Sequence, residues 1–163
     1  MEKEKTRNSK KMAINSDQIR KLRDETGAPV MRVKQVLEKV GGNEKKASEI
    51  LKKEGFEKVS KRAGRDTTQG SIFVYRHHTG KVASMLELLV ETDFVAKNEL
   101  FQNLGGDLAM QVASMDPKNE KELLSQDFIK DPTKKIEDLI KETITKTGEN
   151  IRLGRFERIE IGK

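Results

Sequence analysis

Apolar residues in the first third of the chain recur at three- and four-residue spacing, the period of a helix with one buried face. Ile19 and Leu22 share such a face behind Asn15 or Ser16, either of which can cap a helix, so a helix is predicted from about Ser16 to Glu25. Thr26-Gly27-Ala28-Pro29 breaks it, and Pro29 suits the first turn of the next helix, where a missing N–H costs nothing. That second helix carries Val30, Val33, Leu37 and Val40 inward and stops at Gly41-Gly42. Asn43 can cap a third, burying Ala47, Ile50 and Leu51, which Gly55 ends and Phe56 closes by folding back.

Beyond residue 69 the pattern changes. Ile72, Phe73, Val74 and Tyr75 predict a strand, His77-His78-Thr79-Gly80 a hairpin turn, and residues 82–91 a second strand. Val82, Leu86, Leu88 and Val90 lie on one face of that strand at a period of two. A helix from Asn98 to about Ser114 buries Phe101, Leu104, Leu108 and Val112. Gly105-Gly106 sits in its middle, at about 1 kcal/mol per glycine relative to alanine, and nothing in the sequence accounts for it. Residues 115–131 read as a loop with a helical piece around Leu123-Leu124. Asp131-Pro132 opens a helix with Ile136, Leu139, Ile140 and Ile144 inward, ended by Gly148. The last strand, from about Asn150 to Ile161, switches its apolar side, which predicts a bulge or sharp twist near Gly154.

The expected fold class is therefore α+β: a three-helix module over 15–56, a linker over 57–69 with room for some helix, and a small antiparallel sheet packed with helices over 70–163. Residues 1–14 lack periodicity and are expected to form a disordered basic leader. Only 34% of the 163 residues are hydrophobic and 37% are charged, which favours two small cores over one large one. Without cysteine there is no disulfide, thiolate zinc site or cysteine nucleophile. No run approaches the length needed to span a membrane, and residues 1–15 have no apolar core of a secretory signal.

The net charge of +6 conceals an asymmetry: residues 1–65 hold 19 Lys/Arg against 10 Asp/Glu, while residues 66–163 hold 14 against 17. A basic first half fits a solvated helical surface, steering toward an acidic protein, or a nucleic-acid or ribosome contact. Aromatics are 4% of the chain, too few for a stacking platform, so direct nucleic-acid binding is not expected. No G-x-x-x-x-G-K-[ST] loop is present. His77 and His78, adjacent on extended chain, would point to opposite faces and make a poor chelating pair. Glu91 and Asp93 are more simply solvated than catalytic. Neither a metal, a cofactor nor an enzymatic reaction is expected.

The densest candidate chemistry lies at Thr92-Asp93-Phe94-Val95-Ala96-Lys97-Asn98, on the turn between a strand and a helix, where rigid scaffolds display functional side chains. From the residues alone, Phe94 is either a core residue covering the corner or a protruding one. Asp93 is a helix-opening acid or a turn former. The stretch resembles the T-D-F-V-A-[KR]-[DN] signature of bacterial elongation factor Ts. Leu22-Arg23-Asp24-Glu25-Thr26-Gly27-Ala28 and Gly148-Glu149-Asn150-Ile151-Arg152-Leu153-Gly154-Arg155-Phe156 resemble the same family, in the same order.

That resemblance implies a guanine-nucleotide exchange factor of protein biosynthesis in the bacterial cytoplasm. It would promote GDP release from elongation factor Tu by forming a nucleotide-free complex, without covalent catalysis. It implies that Thr92, Asp93, Phe94 and Val95 form the exchange wedge. The phenylalanine would enter the partner's GTP-binding domain beside the magnesium and phosphate site. The first 40-odd helical residues resemble the family's UBA-like module and imply a second contact patch of Leu22, Arg23, Thr26, Gly27, Val30 and Met31. Leu22 and Val30 could equally be core. Here the chain departs from T-G-A-G-M-M-D: Val30 and Arg32 replace a methionine and an acid. The sheet and last strand would touch a second domain of the partner. Only about 20 residues join the segments ending near Met115 and starting near Ile136, so the chain resembles a short, minimal member. The alternatives are a UBA-like binding module confined to the first helices, and a basic RNA- or ribosome-binding protein whose affinity falls steeply with salt.

Overall fold

The computed structural model describes residues 14–163. The expected leader lies outside the described residues except for Ile14, which packs against the first core. Contacts divide the chain after Glu54, and each unit has its own buried cluster.

The first unit holds α1 (Ser16–Thr26), α2 (Val30–Lys39) and the opening of α3 (Glu44–Arg62). Asn15 and Gln18 form a capping box at the start of α1, each side chain taking the other's backbone N–H. Gly27 ends the helix in the left-handed region at φ 70°, a conformation that glycine adopts without a Cβ clash. Pro29 is the residue just outside α2 rather than in its first turn. Leu22, Val33, Val36, Leu37, Ala47 and Leu51 form the core. Val30, expected inward, is exposed, because the apolar stripe of α2 runs through 33, 36, 37 and 40 and ends before the first turn.

Gly55 does not end α3. It is buried inside the helix, where a Cβ would stand 2.8 Å from Thr145 Cγ2, so it is a point of close approach and not a stop. Residues 57–62, expected in the linker, continue the same helix. Phe56 accordingly stays on α3, with the Lys141 ammonium 5.7 Å from its ring centroid.

The second unit adds β1 (Gln69–Arg76), β2 (Val82–Val90), α4 (Asp93–Ala96), α5 (Glu99–Met115), α6 (Glu120–Ser125), β3 (Asp127–Phe128), β4 (Asp131–Lys135), α7 (Ile136–Thr147) and β5 (Ile151–Glu160). Its main sheet is antiparallel in the order β1-β2-β5, so the most apolar strand is central. Leu86, Leu88 and Val90 face Phe101, Leu104, Leu108 and Val112 of α5 and Ile136, Ile140 and Ile144 of α7. This is the expected α+β layer. Gly105 now has its reason: a Cβ there would fall 2.2 Å from Phe73 Cε2, whereas Gly106 faces open space. The predicted bulge is present, since Leu86 pairs with Phe156 but Leu88 with Leu153, leaving one extra residue on β5.

Asp131-Pro132 does not open a helix. Asp131 Oδ1 accepts from the Thr133 N–H at 3.2 Å and its hydroxyl at 2.6 Å, a local turn that keeps 131–135 extended against β3. Buried Gln111 secures this hairpin: its amide donates to Gln126 Oε1 and the Asp127 carbonyl, and its oxygen accepts from the Ile129 N–H. The outward face of the main sheet leaves Ile72, Val74, Met85 and Ile159 exposed. Among the described residues, no helix is long and apolar enough to cross a membrane.

Candidate functional site

Two helix caps six residues apart shape the turn after β2. Thr92, extended at φ −125° and ψ 155°, caps α4, its hydroxyl oxygen accepting from the Val95 N–H at 3.3 Å. Asn98 caps α5 through the Leu100 N–H at 2.8 Å. A single helical turn is trapped between them. Four residues cannot sustain a helix by their own hydrogen bonds, so α4 depends on its anchors. Val95 and Ala96 are buried beneath it, and the Gln102 side-chain amide donates to the Ala96 carbonyl at 2.7 Å.

What α4 shows outward is Asp93, Phe94 and Lys97. Phe94 is 78% exposed, so the turn does not use it to cover the corner. The Lys97 ammonium lies 3.0 Å from Asp93 Oδ2, one helical turn away, and holds the Asp93 carboxyl below the ordinary carboxylate range. Within the expected wedge, then, Phe94 and Asp93 project, Thr92 is the cap, and Val95 is an anchor.

A further anchor comes from the other end of the unit. Gly148, left-handed at φ 79°, ends α7 and turns the chain so that Glu149 and Asn150 meet the end of β2. Glu149 Oε2 accepts from the Thr92 N–H at 3.1 Å and Oε1 from the Thr92 hydroxyl at 2.8 Å. Glu91 Oε1 accepts in return from the Asn150 N–H at 2.6 Å, and the Arg65 guanidinium lies 3.5 Å from the same oxygen. The Asn150 amide donates to the Ala63 and Arg65 carbonyls. Glu91 and Asp93 are thus both engaged and are not a facing carboxylate pair. Glu149 sits in a quoted family segment, yet 57 positions separate it from Thr92, and no local pattern links the two.

The family model described as Elongation factor TS matches residues 91–163, which begins at this turn. The chain is 40% identical, over 195 aligned positions, to elongation factor Ts of Thermotoga petrophila, covering 93% of this chain and 98% of that protein. The chain belongs to the elongation factor Ts family. Elongation factor Ts of Leptospira biflexa is 37% identical over 196 positions, with 93% and 99% covered. That of Aquifex aeolicus is 42% identical over 155 positions, with 92% of this chain but 53% of the relative covered. The first two alignments run over more positions than the chain has residues, so those elongation factor Ts proteins carry residues without counterpart here.

In the first unit the expected patch separates into two groups. Leu22 and Thr26 are 1% and 4% exposed. This corrects their place in a contact surface: Leu22 belongs to the core, and the Thr26 hydroxyl donates to the Leu22 carbonyl while accepting from the Ala28 N–H. Both hold the 26–29 turn. Arg23, Gly27, Val30 and Met31 are exposed around it, Met31 at 66%. The histidines also differ from expectation. They follow the end of β1 in the hairpin turn, with rings 4.1 Å apart rather than on opposite faces, and His77 Nδ1 lies 2.8 Å from Thr79 Oγ1. Among the described residues no three His, Asp or Glu side chains gather as a metal site.

Proposed function

We propose that this chain is the nucleotide exchange factor of elongation factor Tu in the bacterial cytoplasm, with Phe94 as the inserted group. The observation that carries the proposal is a phenylalanine left 78% exposed on a turn whose neighbours are all tied down. An aromatic held out from a fixed backbone can enter a partner pocket with little loss of freedom on binding.

The step needs no covalent chemistry. GDP and magnesium are held by charge-assisted contacts to a preorganised phosphate loop. A factor that binds better to a deformed, magnesium-poor pocket than to a filled one accelerates release. By linkage, GDP weakens factor binding by the ratio in which the factor weakens GDP binding, so incoming nucleotide displaces the factor from the nucleotide-free complex. Arg23, Gly27, Val30 and Met31 form a second contact area for the same partner. Leu22 and Thr26 act only as its scaffold. The apolar outer face of the sheet, with Ile72, Val74, Met85 and Ile159, serves a second domain of the partner.

Stopped-flow release of a fluorescent GDP from elongation factor Tu tests this. Burying a phenylalanine contributes about 1.5–3 kcal/mol, and each 1.36 kcal/mol is about tenfold in rate. Phe94→Ala should therefore slow release at least about tenfold, with the urea midpoint of the factor unchanged. An unaltered release rate would refute the wedge.

A further inference from the structure

We propose that Glu149 is a positioning residue for exchange: its carboxylate grips both donors of Thr92 and so fixes the direction in which Phe94 leaves the surface. The inference rests on Phe94 being the inserted group.

The geometry is specific. Each carboxylate oxygen of Glu149 serves one donor of the same residue, Oε2 the Thr92 N–H at 3.1 Å and Oε1 the Thr92 hydroxyl at 2.8 Å. Because that hydroxyl donates to Glu149, its lone pair is aimed back at the Val95 N–H, 3.3 Å away. One carboxylate thus orients the cap, and the cap closes the only turn of α4. Phe94 lies between these two ends of the bond chain. It has no burial of its own to orient it, being 78% exposed, so its direction is inherited from residues 92 and 95. Val95 and Ala96 anchor the underside of α4, and the Gln102 bond holds its exit. Glu149 is the anchor at its entrance. The bond between Asn150 and Glu91 keeps the α7–β5 turn in register with the end of β2, so the grip does not depend on Glu149 alone finding its place.

Glutamine at 149 keeps the length, and its Oε1 can still accept from the Thr92 N–H, but its amide must then donate to the Thr92 hydroxyl, so the hydroxyl is no longer held as a donor with its lone pair aimed at Val95 and both bonds lose their charge assistance. Valine at 92 removes the hydroxyl and with it both the Glu149 bond and the Val95 cap. Neither change touches Phe94.

The test uses the full chain and fluorescent GDP bound to elongation factor Tu. Glu149→Gln, Thr92→Val, Phe94→Ala and the doubles Glu149→Gln/Phe94→Ala and Glu149→Gln/Thr92→Val are titrated to saturation. Misplacing a reacting group by about an ångström can cost up to about a hundredfold. Glu149→Gln and Thr92→Val should each lower the maximal release rate about tenfold, within that range. The factor concentration giving half the maximal rate should shift by less than about threefold, since the contacts elsewhere are intact. On the Phe94→Ala background the Glu149 change should add nothing, and the two clamp variants should not add to each other. A purely structural role would lower the rate of Phe94→Ala further and move the urea midpoint in proportion. Full additivity with Phe94→Ala, or a wild-type maximal rate for Glu149→Gln, overturns the inference while leaving the wedge standing. A wild-type rate for Phe94→Ala removes the wedge and this inference with it. Thr92 is exposed, so Thr92→Val carries the test if Glu149→Gln folds poorly.

Discussion

Replacing Gly105 with alanine adds one methyl group to a buried helix position, and replacing Gly106 adds the same group one residue on. Both changes gain the same intrinsic helix preference, up to about 1 kcal/mol. They differ in what the methyl meets. At 105 it would stand 2.2, 2.3 and 2.4 Å from Cε2, Cζ and Cδ2 of Phe73, while at 106 nothing lies within 4 Å. The Phe73 ring cannot retreat freely, because it packs at 5.9 Å between centroids on Phe101, which is fully buried. Overpacking of this kind costs about 1–3 kcal/mol. Gly106→Ala should therefore stabilise the second unit by up to about 1 kcal/mol. Gly105→Ala should run from about neutral to about 2 kcal/mol destabilising, the overpacking cost less the helix gain. The gap between the two variants, about 1–3 kcal/mol, is the safer quantity, since the helix term cancels. Urea unfolding followed by far-UV circular dichroism measures it, at unchanged denaturant slope. If Gly105→Ala proves as stable as Gly106→Ala, the close approach of α5 to β1 is not what the glycine serves.

Other outcomes follow from single contacts. Gly70→Ala would place a Cβ 2.3 Å from the Leu88 carbonyl oxygen, part of the central strand's backbone, which cannot yield as a side chain can. It should destabilise by about 2 kcal/mol or more, toward the upper part of the overpacking range, measured by the same unfolding curve. The Glu25 carboxyl is held below the ordinary carboxylate range first by the Ser48 hydroxyl and then by the Lys52 ammonium, 3.1 Å away. Its folded pKa is below its unfolded one, so its contribution is complete above the unfolded value and is lost as pH falls through the folded value. The difference in urea midpoint between wild type and Glu25→Gln should be constant from about pH 7 to 5 and close toward about pH 3; a gap that widens on acidification would contradict this.

The parts legible in the sequence are those that periodicity encodes. Phe101, Leu104, Leu108 and Val112 were identifiable because a helix repeats every 3.6 residues. The bulge was identifiable because β5 changes its apolar side at Gly154. Glycine is ambiguous in a sequence, since one residue type serves opposite ends. Gly27 and Gly148 stop helices with positive φ, whereas Gly55 sits inside one to let Thr145 approach. Only the neighbour distinguishes them, and Thr145 is 90 positions away. Asp131-Pro132 is ambiguous in a similar way: an acid followed by proline opens a helix or holds an extended turn, and pairing with β3 decides for the turn. In the candidate site, the motif singles out Phe94, and the structure leaves it exposed. Around Thr26, the motif names residues without saying which of them face inward, and Leu22 and Thr26 do. Glu149 was out of reach, since its partner lies on a different part of the chain.

The separation between Thr92 and Glu149 also has a consequence in time. Chains are made from the N-terminus at about 5–20 residues per second, so the 57 positions between the two correspond to about 3–11 s of synthesis. Throughout that interval the turn at 92–98 has been made without the carboxylate that binds its cap. A four-residue helix does not hold its shape unaided. If Phe94 is the inserted group, as proposed, it is displayed but undirected until Glu149 and the strand after it are made, and the nascent chain becomes competent late.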